Sequence, residues 1–385
     1  MAEKTLFHRL VFFLCVIVLA AAAAACGDGG GGDDTAVDPP VEEAAEIPVE
    51  TPDPVGDDPV GDDAAPDPEE EDAAAEPDGP VECGTGSIEA LMACVDRARY
   101  VEDLTFVAQV RPPGSEHWQA VQDLCADRMG AMGFTVERHD YGTGINVIGK
   151  LDGSTAPAEE VLVSAHYDHL DDCEGADDNA TGVAGLLETG RVLVQAGFGR
   201  TLVLACWDEE EGGMIGSEAY ATRADGAGEA IVVSYVYEML GFKSDEPNSQ
   251  TVPEGLEILF PEQLAWLEAN AYRGDFIAVI NDDLSHASAA GLTAYAGAVA
   301  LPIITLELPS VLKNSPMVND LRRSDHASFW LFDFPAMMIG DTAEFRNPYY
   351  HCAGGPDTVD TLDHDFAVQV IRATVGAAAA DLGLI

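Results

Sequence analysis

A chain of 385 residues, 47% of them hydrophobic, has room for one large α/β domain or two ordinary ones and for a sizeable core. Its 69 acidic side chains against 18 basic ones give a formal net charge of −51. That balance excludes a nucleic-acid-binding surface, which needs a basic stripe, and docking to anionic lipid through protein charge. Eight cysteines are too few for a small disulfide-built scaffold.

Lys4 and Arg9 precede an apolar run over residues 10–25, the length of a signal-peptide core and short for a membrane span. Ala23-Ala24-Ala25-Cys26 resembles the lipobox of bacterial lipoproteins. Residues 1–25 are therefore expected to be a leader cleaved ahead of a lipidated Cys26, with ordinary secretion as the alternative. The implied location is outside the cytoplasm, anchored in the membrane (periplasmic, outer-membrane or cell-surface). Residues 27–82 hold 21 Asp or Glu, no Lys or Arg, and almost no large apolar side chain. Such a segment cannot bury enough surface to offset its ordering entropy, so residues 26–87 are expected to be an extended tether. About −30 of the charge remains on the rest of the chain.

From residue 88 the pattern is that of one α/β domain reaching residue 385. Ser115 is placed to cap a helix carrying Trp118, Val121, Leu124, Cys125, Met129 and Met132 at helical spacing, with Gly133 as its stop. Residues 134–141 alternate like an edge strand, and 145–149 form a short strand. Val161-Leu162-Val163-Ser164-Ala165 is a continuous apolar run, the mark of a strand buried on both faces. A long helix is expected over 181–197. Further buried strands are expected at 201–207, 231–237, 277–280, 303–306 and 336–339, with a closing helix over 366–382. Buried strands alternating with helices predict a three-layer α/β/α sandwich around a mixed, largely parallel sheet.

The chemistry gathers where such strands end, the rim on which open α/β sheets place their sites. Ser164-Ala165-His166-Tyr167-Asp168 closes one buried strand, and Gly175-Ala176-Asp177-Asp178-Asn179 opens the next helix. Asp208-Glu209-Glu210-Glu211-Gly212-Gly213, Tyr237-Glu238-Met239 and Asn347-Pro348-Tyr349-Tyr350-His351 follow later strands. One histidine at a strand end is ordinarily structural. Two with several carboxylates on one rim suit Zn²⁺.

Together these motifs resemble the zinc exopeptidase family of aminopeptidase S, bacterial leucyl aminopeptidases and glutamate carboxypeptidase II, over residues 94–385. The resemblance implies His166 and Glu238 on one zinc, Glu211 and His351 on a second, and Asp178 bridging both. It implies Asp168 behind His166, steadying that ring through its other nitrogen, and Glu210 as general base for a water between the metals. Tyr350 is either an oxyanion donor or a packed aromatic, and Asp325 and His326 match a motif near the substrate but off the metal. Arg322 and Arg323 read as surface ion-pair partners before carboxylate readers. The implied activity is that of a di-zinc exopeptidase, an aminopeptidase before a carboxypeptidase, acting on peptides as a monomer. A single-zinc glutaminyl cyclase and a non-catalytic binding protein are the alternatives. His117, His139, His169, His286 and His364 carry no motif. Of the cysteines, Cys94 and Cys125 lie on neighbouring helical segments open to bridging, Cys173 and Cys352 near the rim are candidates for a disulfide with a redox or ligand role as the alternative, and Cys206 reads as a free core thiol; the sequence does not fix the pairing. Residues 243–275 read as an insertion that shapes the substrate pocket.

Overall fold

The computed structural model describes residues 83–385; the leader, Cys26 and residues 27–82 lie outside the described residues. Helices α1 (Ile88–Ala93) and α2 (Arg97–Val107) open the domain. Each starts on a side chain that accepts from the free N–H groups of its first turn, Ser87 from Ala90 and Asp96 from Ala98. Helix α3 (Glu116–Ala131) begins the same way, with Ser115 Oγ accepting from the Trp118 N–H.

Strands β1 (Thr135–Asp140), β2 (Ile145–Leu151), β3 (Ala156–His166), β4 (Arg200–Trp207), β5 (Ala230–Tyr237), β6 (Ile277–Asp282), β7 (Ile303–Leu308) and β8 (Ala336–Gly340) form one sheet. Their order is β1-β2-β4-β3-β5-β8-β6-β7. The central β4, β3, β5 and β8 are mutually parallel, whereas β1 pairs with β2, β2 with β4, and β6 with β8 in antiparallel fashion. Because β7 is parallel to β6, these two strands point opposite to the central four. The sheet is thus mixed and largely parallel, as the apolar runs predict.

Seven further helices cover the sheet: α4 (Gly182–Leu193), α5 (Ile215–Ala227), α6 (Leu256–Leu259), α7 (Pro261–Ala269), α8 (His286–Ala298), α9 (His326–Trp330) and α10 (His364–Leu382). Side chains alternate along each strand, so every central strand feeds two cores. Val161, Val163 and Ala165 of β3 join Leu202, Leu204 and Cys206 of β4 in a core shared with α1–α4, α8 and α10. Leu162, Val203, Ala205 and Trp207 point the other way, into a core shared with α5, α6, α7 and α9. Helix α4 lies so close to β4 that a Cβ on Gly190 would meet Leu204 Cδ1 at 2.3 Å. Truncating a fully buried leucine such as Leu204 in a core of this kind costs about 2–5 kcal/mol. Among the described residues no helix is long and apolar enough to cross a membrane.

The cysteines differ in part from expectation. Cys173 and Cys352 form a disulfide across 179 residues. Cys94 and Cys125 do not bridge; both are free. Cys125 points inward from α3 and its Sγ meets that of Cys206 on β4 at 2.7 Å, while Cys94 lies against Cys83. Sequence neighbourhood of two helices misled here, because the inward face of α3 is turned to the sheet and not to α1.

Candidate active site and metal centre

The parallel strands deliver their polar ends to one rim. His166 is the last residue of β3 and is fully buried, followed by Tyr167, Asp168 and His169. Asp178 lies in the turn Ala176–Thr181 that leads into α4; its peptide bond to Asn179 is cis. Asp208 to Glu211 follow β4, and Glu238 follows β5. His351 stands in a short turn over Tyr350–Cys352, with φ +52°. The disulfide from Cys352 to Cys173 ties that turn to the loop ahead of Asp178.

Arg111 locks this framework. Its side chain is fully buried and donates to the carbonyls of Val107, Tyr167, Glu174, Gly175 and Asp178 at 2.5–3.2 Å. Burial pulls its pKa down to about 10, against the pull of Asp178 and Asp168, so it remains a cation at neutral pH. One side chain thereby fixes both the segment after β3 and the turn carrying Asp178. The Asp357 carboxylate accepts from the N–H groups of Asp177 and Asp178 at 3.0–3.2 Å. Asp177 in turn accepts from Gly241 N–H at 2.9 Å and Asn347 Nδ2 at 2.7 Å. Neither Arg111 nor Asp357 announces itself by spacing to the ligand motifs, although Arg111 stands in a Pro-Pro-Gly turn.

The five residues implied as ligands converge. His166 Nε2 lies 3.2 Å from Asp178 Oδ1 and 3.5 Å from Glu238 Oε2. His351 Nε2 lies 3.1 Å from Asp178 Oδ2 and 3.3 Å from Glu211 Oε2. The two oxygens of Asp178 therefore face two different histidines. None of these contacts is a well-aligned hydrogen bond: His166 Nε2, His351 Nε2, Asp178 Oδ1 and Glu211 Oε1 are buried without a partner. Unpaired polar atoms in such places are costly. Ligand atoms around a tetrahedral Zn²⁺, with bonds of about 2.0–2.1 Å, stand about 3.3 Å apart. The observed spacings match that figure, so the donor set fits a metal ion.

The electrostatics agree. Burial alone would lower the pKa of His166, but Glu238, Glu210, Asp168 and Asp178 hold it well above the ordinary imidazole value. Burial would likewise raise Asp178, yet its contacts to His166 and His351 hold it well below the carboxylate range. Buried cationic charge is what the cluster calls for. Glu210 is the exception. Burial, aided by the neighbouring carboxylates of Glu238, Asp325 and Glu211 and opposed by His166, drives its pKa well above the carboxylate range. A buried carboxyl with a raised proton affinity, beside side chains that would hold cations, is suited to taking up a proton and passing it on.

Asp168 lies beside His166 Nδ1, with its backbone carbonyl 3.2 Å and its carboxylate Oδ1 3.5 Å away. It also has a task the resemblance does not imply: its carboxylate oxygens accept from the Glu210 and Glu211 N–H groups at 3.0 and 3.2 Å. Asp168 thus positions the segment that carries the base and a ligand. Ser324 Oγ donates to Glu238 Oε2 at 2.7 Å. Asp325 is buried with both oxygens unpartnered, and burial raises its pKa to about 7. His326 turns away, with Nε2 against the Leu321 carbonyl and its ring edge-on to Trp330. Tyr350 stacks on His351, and its hydroxyl accepts from Arg323 Nη2 at 3.2 Å. Arg323 also pairs with Glu344. His169, which carries no motif, is fully buried beside Glu211.

Next to Glu238 and Tyr350 opens an apolar cleft. Ala278, Ile280, Ile304 and Met338 from the sheet line it, together with Val252, Leu256 and Leu267 from the 243–275 insertion.

An α/β sandwich whose parallel strands converge histidines and carboxylates on one rim defines a metallohydrolase-like site. Residues 146–378 match Peptidase family M28, and the chain belongs to that family. It is 31% identical over 235 residues to the uncharacterized protein YfbL of Escherichia coli K12, covering 58% of this chain and 68% of that protein. It is 28% identical over 294 residues to a probable leucine aminopeptidase of Trichophyton verrucosum, covering 72% and 67%. Among solved structures, the LapA aminopeptidase of Legionella pneumophila shares the fold with a TM-score of 0.58 at 16% identity, covering 77% of this chain and 74% of that one. Fimbriiglobus ruber glutaminyl cyclase also shares it, with a TM-score of 0.51 at 15% identity, covering 74% and 94%.

Proposed function

We propose that the protein is a zinc aminopeptidase that works with two metal ions. The observation that carries this reading is Asp178, whose two carboxylate oxygens are each aimed at a separate histidine-bearing ligand group. His166 and Glu238 would hold one ion with Asp178, and His351 and Glu211 the other. The chemistry such ions supply when bound is polarisation of a carbonyl and acidification of water. Glu210 takes the proton of the attacking water and hands it to the departing amine. Asp168, through the backbone of Glu210 and Glu211, keeps base and ligand in register. Because Arg323 donates to the Tyr350 oxygen, the Tyr350 proton is left to meet the carbonyl oxygen as charge builds on it. The apolar cleft beside Glu238 is suited to a large apolar side chain at the peptide's amino end. We place the enzyme outside the cytoplasm, held at Cys26; a disulfide in the described domain supports an oxidising compartment.

The glutaminyl cyclase reading needs one zinc, and the second ligand group argues against it. Hydrolysis of a panel of free and amino-blocked peptides, together with a peptide beginning in glutamine, separates the readings. Peptides with a free amino group and an apolar first residue are expected to be cleaved, with activity lost to chelator and restored by zinc. Glu210→Gln should lower kcat by about 10²–10⁴-fold with the zinc content unchanged. Cleavage of blocked peptides only, or cyclisation of glutamine by protein holding a single zinc, would overturn the proposal.

A further inference from the structure

We propose that His169 is a positioning residue that fixes how Glu211 presents itself to the second metal, an inference that rests on the two-metal reading above. The residue is 1% exposed, and neither ring nitrogen has a well-aligned partner among the described residues. Glu211 Oε1 is equally buried and equally unpartnered, and His169 Nδ1 lies 2.8 Å from it. Two orphaned groups at that distance, one able to donate and one able to accept, are placed to serve each other. The other oxygen of Glu211, Oε2, is the one that faces His351. A proton on His169 Nδ1 therefore occupies Oε1 and leaves Oε2 as the single oxygen offered to metal.

A direct ligand role for His169 has to be weighed, because its ring nitrogen and oxygens of Asp178 and Glu211 all lie within 4.8 Å of one another. Distance decides between the two roles. The contacts among the five ligand residues are 3.1–3.5 Å, the spacing of atoms that share a metal. The contact of His169 to Glu211, at 2.8 Å, is the length of a charge-assisted N–H···O⁻ bond. The ring is also held in place for this task. A Cβ on Gly175, whose φ is +56°, would sit 2.4 Å from His169 Cδ2. The same Gly175 gives its carbonyl to Arg111. His169 thus packs on a glycine whose carbonyl the buried arginine holds.

The test measures affinity for the more weakly held zinc, by chelator competition, in wild type, His169→Ala and His169→Asn. An asparagine Nδ2 stands where the histidine Nδ1 stands and donates the same hydrogen bond. The proposal expects His169→Ala to weaken that ion by about 10–100-fold, the usual effect of losing a hydrogen bond to a ligand, and His169→Asn to recover most of the loss. X-ray absorption on the wild-type di-zinc protein supplies a readout free of any substitution: two imidazoles for each pair of zinc ions. Three imidazoles, an asparagine variant as weak as the alanine one, or an alanine variant that binds like wild type would each overturn it. A wild-type protein that binds fewer than two zinc ions would bring down the two-metal reading and this inference together, whereas two ions with an indifferent His169 would sink the inference alone.

Discussion

Two clusters of buried charge stand at opposite ends of the sheet, and they are built on opposite principles. At the end of β6, Lys313 and Asp282 are both fully buried, with Nζ and Oδ2 2.9 Å apart. Asp282 Oδ1 accepts from Ser285 N–H and Oγ at 3.1 and 2.7 Å, and Lys313 also reaches Asp333 at 3.2 Å. Each charge there has its counter-charge and its hydrogen bonds. At the ends of β3, β4 and β5, the side chains of His166, Asp178, Glu211 and His351 face one another closely and leave buried atoms unbonded. The satisfied cluster holds a fold together; the unsatisfied one is shaped for something the chain itself does not contain. Burial of charge says little about function, and the state of its hydrogen bonds says a great deal.

The contrast can be broken from either side. Lys313→Met strands a buried carboxylate and should cost about 3–5 kcal/mol of stability by urea unfolding, with zinc content unchanged. A loss under 1 kcal/mol would mean that this cluster is not a structural pair. Cys352→Ser opens the bridge behind His351. The loop it closes spans 179 residues, so stability should fall by about 2–4 kcal/mol, and zinc should be held more weakly because His351 is the adjacent residue. Unchanged affinity would show that the other contacts of the turn suffice to place the ligand.

A smaller effect sharpens the comparison through pH. Asp208 accepts from Trp118 Nε1 at 2.8 Å and from Ile145 N–H at 2.9 Å, and burial raises its pKa to about 6. The folded state thus keeps a proton that the unfolded chain, titrating near the ordinary aspartate value, has released. The sign follows: stability falls as pH rises from about 4 to 6, by about 1–3 kcal/mol from this group. The stability of Asp208→Asn should slope less steeply across that window, in urea melts of metal-free protein. Parallel slopes would remove Asp208 as the source.

Much of this was legible in the residues. The continuous apolar runs of β3 and β4 mark strands buried on both faces, and a hard ligand directly after each marks the rim. Ser115 states where α3 begins. The antiparallel turn of β6 and β7 was not legible, because an apolar run such as Ile277–Ile280 reads the same in either direction. Arg111, Asp357 and the thiol pair Cys125 and Cys206 act across 56 or more residues, by contacts that leave no period in the chain. Asp168 and His169 follow His166 directly, yet only the geometry shows that both face the segment after β4.

The central claim is that the unbonded atoms around Asp178 exist to hold two ions. Anomalous diffraction at the zinc edge, on crystals of protein loaded with zinc, tests it most directly. Two peaks about 3.5–4 Å apart, one on either side of the Asp178 carboxylate, are the predicted result. A single peak, or ions bound away from Asp178, would contradict it.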